Sequence, residues 1–274
     1  MAFGWRRADE VPVPSLSPPM DVSDALETCG FALNPSPFDA NVDSDSDEER
    51  KAIMRMIQDI TGADKVAMAS RVERAIMSDG EFSCETETGQ RGGAFFVHGD
   101  FSDEFKDQLQ CMYDNSNNAS PDKLKSLAAE PIRNGGLGLD HDTFQNGRLA
   151  VVNVWWSVSP LPVRRAPLAV CDARTLRQSD LAVYAYMPDP PPDNYQLPLP
   201  NLLTVAAYNP TQMWYYFPQM TPGECLLVKT YDSALAQPQN GVGVHSAFEN
   251  LQDPLAQSEG RHSVEMRIMC FFNQ

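Results

Sequence analysis

The sequence predicts an all-β core with added helices, α+β overall, and three observations point there. From about residue 148 onward the chain is a succession of short runs rich in Val, Thr and aromatic residues, broken by proline, glycine or polar turns. That spacing marks an antiparallel sandwich or a closed barrel. The readable helix signals lie in the front half, so helices are expected to pack outside a β core completed by the back half. The length of 274 residues is long for one domain, yet within reach of one large β-barrel that buries its core without disulfide staples.

The elements follow in order. Residues 1–25 are proline-rich and read as an N-terminal arm before a single domain over 26–274. "DSDSDEERKAIMRMIQDITGA" (43–63) is a helix: Ser46 and Glu49 suit a capping box, acids crowd the first turn, and Gly62 suits the exit. Ile53, Met56, Ile57 and Ile60 form its apolar stripe. "DKVAMAS" reads as a strand, and "FFVHGD" as the end of an apolar strand. A helix over 102–113 follows, with Phe105, Leu109 and Met112 on one face. Another spans 120–130, with Ser120 as cap and Pro121 at its first position. After the break "RNGGLG" come the strand-like runs "RLAVVNVWWSV", "LAVYAYM", "NLLTVAAYNP", "MWYYFP", "ECLLVKTYDS", "VGVHSAF" and "SVEMRIMCFF". The segment 187–200, "MPDPPPDNYQLPLP", is a loop, because its prolines cannot serve a ladder. No internal repeat is visible.

Bulk properties narrow the partners. A formal net charge of −16 argues against nucleic acid and against an anionic membrane surface, both of which need a positive footprint. No apolar run approaches a membrane span, and the start "MAFGWRRADEVPVPSLSPP" lacks a secretory pattern. The six scattered cysteines have no metal-type spacing and read as reduced thiols of an intracellular protein. The expectation is a soluble, cytoplasmic protein.

The chemistry-bearing motif is His98-Gly99-Asp100. Residues two apart on an extended segment project to the same side, so this imidazole and carboxylate face together. A second imidazole from a distant strand would complete two nitrogens and one oxygen with open positions opposite, the arrangement of non-haem Fe(II) oxygenases. His245 in "GVGVHSAF" is the candidate, being flanked by Val242, Val244 and Ala247. His141, in the Gly/Asp-rich "GLDHDTF", reads as solvent-exposed. In "GRHSVEMRIMCFF" alternation puts Arg261, Ser263, Glu265 and Arg267 on one face and His262, Val264, Met266 and Ile268 on the other. Two arginines on one face of a core strand are costly unless they meet an anion. Arg261-x-Ser263 has the chemistry to fork the far carboxylate of a 2-oxo acid. The competing reading is an outward face with its charges solvated or paired to Glu265.

The blocks "VVNVWWSV", "PLAVCDARTL", "YNPTQMWYYFPQMTPGECLLVKTYDS", "VHSAF" and "RHSVEMRIMCFF" resemble, in order, the hydroxylase/desaturase family of non-haem Fe(II)/2-oxoglutarate-type oxygenases. "GFALNPSPF", "ITGADKVAMASRVERA" and "FVHGDFSDEF" extend the resemblance over residues 25–272. It implies a double-stranded β-helix (jelly-roll, cupin-like) barrel. It also implies an enzyme that uses Fe(II), O2 and 2-oxoglutarate to hydroxylate, desaturate or cyclise a small specialised metabolite. On this chain the family's metal residues fall on His98, Asp100 and His245, and its last-strand residues on Arg261, Ser263 and Arg267. Asn153 and Tyr208 are expected beside the cofactor, and Trp156, Met213 and Trp214 in the substrate pocket. Two departures remove positive charge: Trp156 stands where the family commonly has Arg after Asn-x-Trp, and Met213 where many members carry a basic residue. They bear on the substrate and on the co-substrate anion site. Two alternatives stay open, an iron oxidase or cyclase of the same fold that needs no 2-oxoglutarate and, separately, a non-catalytic β-barrel binder.

Overall fold

The computed structural model describes residues 6–7, 21–37, 46–76, 92–116, 139, 141–187, 200–238, 240–251, 253–256 and 258–273. The expected helix over 120–130, residues 8–20 of the arm and nearly all of the 187–200 loop lie outside them.

Twelve strands among these residues form two sheets. In chain order they are β1 (Arg6–Arg7), β2 (Phe31–Pro35), β3 (Lys65–Ile76), β4 (His98–Gly99), β5 (Arg148–Ser157), β6 (Leu168–Cys171), β7 (Leu181–Tyr186), β8 (Asn201–Ala206), β9 (Trp214–Tyr216), β10 (Glu224–Asp232), β11 (His245–Ala247) and β12 (Arg261–Phe272). The minor sheet, of short strands, has the order β1-β9-β6-β11-β4-β8-β7, and the major sheet runs β2-β10-β5-β12-β3. All pairings are antiparallel except β1 with β9. The sheets face each other: Val170 and Tyr215 of the minor sheet pack with Trp155, Leu226 and Val228 of the major one. This is the β core with added helices expected from the sequence.

The major sheet is buried on both faces because helices cover its outer side. The helix α2 (Asp47–Thr61) starts with the Ser46 hydroxyl accepting from the Glu49 N–H at 3.1 Å and ends on Gly62 with φ 67°. Its stripe residues Ile53 and Ile57 pack against Val152, Val154, Trp156, Val264, Met266 and Ile268. Fully burying side chains of this size contributes about 1.5–3 kcal/mol each. A shorter helix, α1 (Val22–Cys29), adds Leu26 to the same layer, where the sequence had suggested only the end of an arm. It stops at Gly30, φ 85°, where an added Cβ would lie 2.6 Å from the Gly241 carbonyl oxygen. The helix α3 runs Phe105–Ser116, three residues later than expected, because residues 103–104 form a turn closed by the Phe105 N–H on Ser102 O at 3.1 Å. Phe105 and Leu109 join the inner cluster of Phe101, Tyr231, Met269 and Phe271. A last helix, α4 (His141–Asn146), contributes Phe144 to that cluster.

Candidate metal centre

Both candidate imidazoles come from the minor sheet. β11 pairs antiparallel with β4, and His245 sits directly opposite His98, ring centroids 4.6 Å apart. β4 is only two residues long, but the chain stays beside β8 after it: Thr204 Oγ1 donates to Phe101 O at 3.1 Å. That continuation turns Asp100 to the same side as His98. One ligand atom from each of His98, Asp100 and His245 lies within 4.8 Å of the others, and all three residues are buried.

Hydrogen bonding sets the imidazole tautomer. His98 Nδ1 is 2.9 Å from Phe96 O, and a carbonyl only accepts, so Nδ1 carries the proton and Nε2 keeps its lone pair for the site. Nε2 lies 3.6 Å from Asp100 Oδ1. Phe96, half-exposed, stacks on the His98 ring at 4.3 Å. Burial, followed by the neighbouring His245, lowers the His98 pKa to about 4. Burial also pushes His245 down. Both rings are therefore neutral near pH 7, the form that ligates metals. Burial pushes the Asp100 carboxyl up, but the Arg267 charge and the two imidazoles outweigh it and hold it well below the usual carboxylate range. The fit to a metal ion rests on these neutral nitrogens beside an ionised carboxylate, and on His245 Nδ1, buried with no partner among the described residues.

A small cavity opens beside the three residues, walled by Arg74, Trp155, Leu168, Arg261, Glu265 and Arg267. The alternation read on the last strand holds. Arg261, Ser263, Glu265 and Arg267 are all buried on the inner face, while His262 points away and pairs with Glu73. Arg261 donates to Ala166 O, its guanidinium stands 5.8 Å over Trp155, and its Nε has no partner among the described residues. The Ser263 hydroxyl, two residues on, is equally buried and likewise has no partner among them. Burial, then the nearby Arg74 charge, pulls the Arg261 guanidinium below its ordinary value, against Glu265. An anion here would satisfy both orphaned groups. Arg267 is committed elsewhere: Nε donates to Asp100 Oδ2 at 3.0 Å, and a terminal nitrogen lies 2.7 Å from Glu265. Inward burial and pairing to Glu265 thus coexist, divided between the two arginines.

Other expected site residues scatter. Asn153 reaches Asp100 Oδ2 at 2.5 Å. Trp156 does not face the cavity, because it packs under α2 on the outer face of β5. Its neighbour Trp155 is the cavity wall, and the signal was available: Asn153 and Trp155 are two apart and share a face. Trp214 packs with Ala169, Cys171 and Phe248, and Met213 against the cluster around Tyr215, away from the cavity lining. Tyr208 is 55 % exposed on the turn after β8 and lies outside the lining. Arg74, from β3, was not anticipated; nothing in its local pattern sets it apart from Arg71.

A family model described as an oxidoreductase/YMDC permease-like domain matches residues 113–271. The hydroxylase/desaturase efuI of Hormonema carpetanum is 37 % identical over 129 residues, 46 % of this chain and 41 % of that protein. The hydroxylase/desaturase asaB of Aspergillus flavus is 31 % identical over 151 residues, 53 % of this chain and 64 % of that one. The chain spans about half the length of the curated relatives it matches. The iron and alpha-ketoglutarate-dependent endoperoxidase NvfI superposes with a TM-score of 0.68 at 22 % identity, over 98 % of this chain and 85 % of that one. The resemblance to hydroxylase/desaturases and the jelly-roll fold are both borne out. No helix among the described residues is long and apolar enough to cross a membrane.

Proposed function

Because the chain belongs to the oxidoreductase/YMDC permease-like domain family and is similar to curated hydroxylase/desaturases, we propose that it is an Fe(II)- and 2-oxoglutarate-dependent oxygenase. It oxidises a C–H bond of a small molecule of specialised metabolism. The observation that carries this reading is the convergence of His98, Asp100 and His245 within 4.8 Å, beside a cavity with a buried, incompletely partnered arginine.

When bound, iron supplies the activation of O2 and the hydrogen abstraction that no side chain can perform. The protein's own groups do the rest. The two imidazole nitrogens and the Asp100 carboxylate hold the ion from one side. Arg261 forks the far carboxylate of 2-oxoglutarate, and the Ser263 hydroxyl donates beside it. Trp155 walls the guanidinium, keeping water from the ion pair and strengthening it. The half-exposed Phe96 shields the outer side of His98.

The test is anaerobic loading with Fe(II) and 2-oxoglutarate, followed by O2 and measurement of succinate. Stoichiometric iron and steady succinate release, both lost in His98→Ala, are expected. Iron without succinate, with or without substrate, would favour the same fold working without a 2-oxo acid; no iron at all would favour a plain binder.

A further inference from the structure

We infer that Thr230, Asn153 and Arg267 form a positioning relay that fixes which oxygen Asp100 offers to a metal; this rests on the metal-centre reading above. The two histidines belong to strands of the minor sheet. Asp100 alone is fastened to the major one. Its Oδ2 accepts from Asn153 Nδ2 at 2.5 Å and from Arg267 Nε at 3.0 Å. Oδ1 is left facing His98 Nε2 at 3.6 Å. Two donors on one oxygen, one of them a guanidinium, make rotation of the carboxylate costly. Oδ1 is then the ligand atom, and Oδ2 is withheld from the open positions that a co-substrate and O2 need.

The Asn153 amide is useful in only one orientation, since turning it over would set its oxygen against Asp100 Oδ2. Thr230 fixes that orientation. Its hydroxyl lies 3.1 Å from Asn153 Oδ1, nearer than its 3.4 Å contact with Val151 O, and must donate to reach an amide oxygen. Thr230 arrives there through a bulge. Along β10 the pairing with β5 passes from Lys229↔Val152 to Tyr231↔Val151, leaving Thr230 as the extra residue. Thr230 and Tyr231 therefore both face inward, Tyr231 into the aromatic cluster and Thr230 onto Asn153. Bulges next to sites re-aim side chains in this way. Across β5, Arg267 stands directly opposite Asn153, and its NH1 reaches Ser70 Oγ on β3 at 3.4 Å. There too the register shifts, between Arg267 and Ile268. A polar row thus crosses four strands of the inner face, with Thr230 and Asn153 at most 1 % exposed. Such a buried row is tolerable only when its members are satisfied, and here they converge on one carboxylate oxygen.

The experiment is anaerobic Co(II) titration of the full chain, read by visible absorption, with the melting temperature of each metal-free variant as control. Asn153→Leu is expected to weaken Co(II) binding 10- to 100-fold, the usual effect of losing a partner behind a ligand, and to change the Co(II) spectrum. Thr230→Val is expected to weaken it less, and Thr230→Ser to match wild type. Because Thr230 acts through Asn153, the double variant is expected to bind no worse than Asn153→Leu alone. Additive losses, or melting temperatures that fall while affinity and spectrum stay put, would overturn the relay. Where Asn153→Leu does not fold, the near-isosteric Thr230→Val against Thr230→Ser decides. A wild-type chain that takes up no Co(II) overturns the metal centre and the relay together. Tight wild-type binding with indifferent variants overturns the relay alone.

Discussion

The two sheets divide the labour unequally. The minor sheet contributes strands of two to six residues, and its edge strand β7 is exposed along most of its length. The major sheet contains β3, β5, β10 and β12, each nine to twelve residues long, and the last three of these are buried almost throughout. Both histidines sit on the sheet of short strands, whereas the two donors to the Asp100 carboxylate, and the buried Arg261 and Ser263, sit on the other. Short strands at a sheet's middle can bring ligands together, but they have little packing to hold a carboxylate still. The long sheet, clamped between helices and an aromatic interior, supplies that rigidity.

The sharpest way to break this division is to remove a ligand. His245→Ala is expected to abolish Co(II) or Fe(II) binding in an equilibrium titration while the chain still folds, because the loss is confined to one short strand. Next is Arg261→Met on the long sheet. Removing one partner of a buried charge contact costs about 2–5 kcal/mol, so 2-oxoglutarate affinity of the metal-loaded protein should fall by at least about 30-fold. The same substitution should leave the metal-free melting temperature unchanged or raised, since an incompletely satisfied buried cation gives way to an apolar side chain.

On the opposite face of β10 the same strand carries pure structure. The Lys229 ammonium, 1 % exposed as a residue, is held by Glu27 at 2.8 Å and Asp232 at 3.4 Å, and Arg148 lies 2.5 Å from Asp232. Asp232→Ala should cost about 3 kcal/mol in denaturant unfolding by removing the buried carboxylate shared by Lys229 and Arg148, with metal affinity unaffected. Trp155→Phe and Trp156→Phe then compare the two faces of β5. The first should weaken 2-oxoglutarate binding several-fold, and the second should lower stability by about 1 kcal/mol and leave binding alone. Tyr208→Phe, at an exposed turn, should change stability by less than about 0.5 kcal/mol and leave binding untouched. Thiol labelling gives a last contrast: among the cysteines of the described residues Cys111 is exposed and should react first, whereas burial pushes the Cys171 and Cys225 thiols up to about 12.

Much of this was readable because strand faces follow a period of two. That rule put Arg261, Ser263, Glu265 and Arg267 on one side and sent His262 to the other, and it paired His98 with Asp100. Applied to β5, it also separates Trp155 from Trp156, yet the resemblance to family members had drawn attention to the wrong tryptophan. Met213, Trp214 and Tyr208 lie outside the cavity lining for another reason: a block that matches a family in order need not line the same cavity, and their surroundings are made by distant strands. α1 went unforeseen behind a proline-rich start, although Asp21 caps it by accepting from the Asp24 N–H at 2.8 Å.

What the sequence determined by itself is the class of fold, the helix under the long sheet, the three candidate ligands and the inward face of the last strand. All of these follow from local periodicity, capping and residue chemistry. Tertiary structure alone decided which arginine was spent on Asp100 and which stayed available, and it alone brought Arg74 to the cavity. It also placed Thr230 inside beside Tyr231. A bulge is defined by how one strand counts against another, and an ion pair by which distant side chains arrive together; neither quantity exists until the sheets have paired.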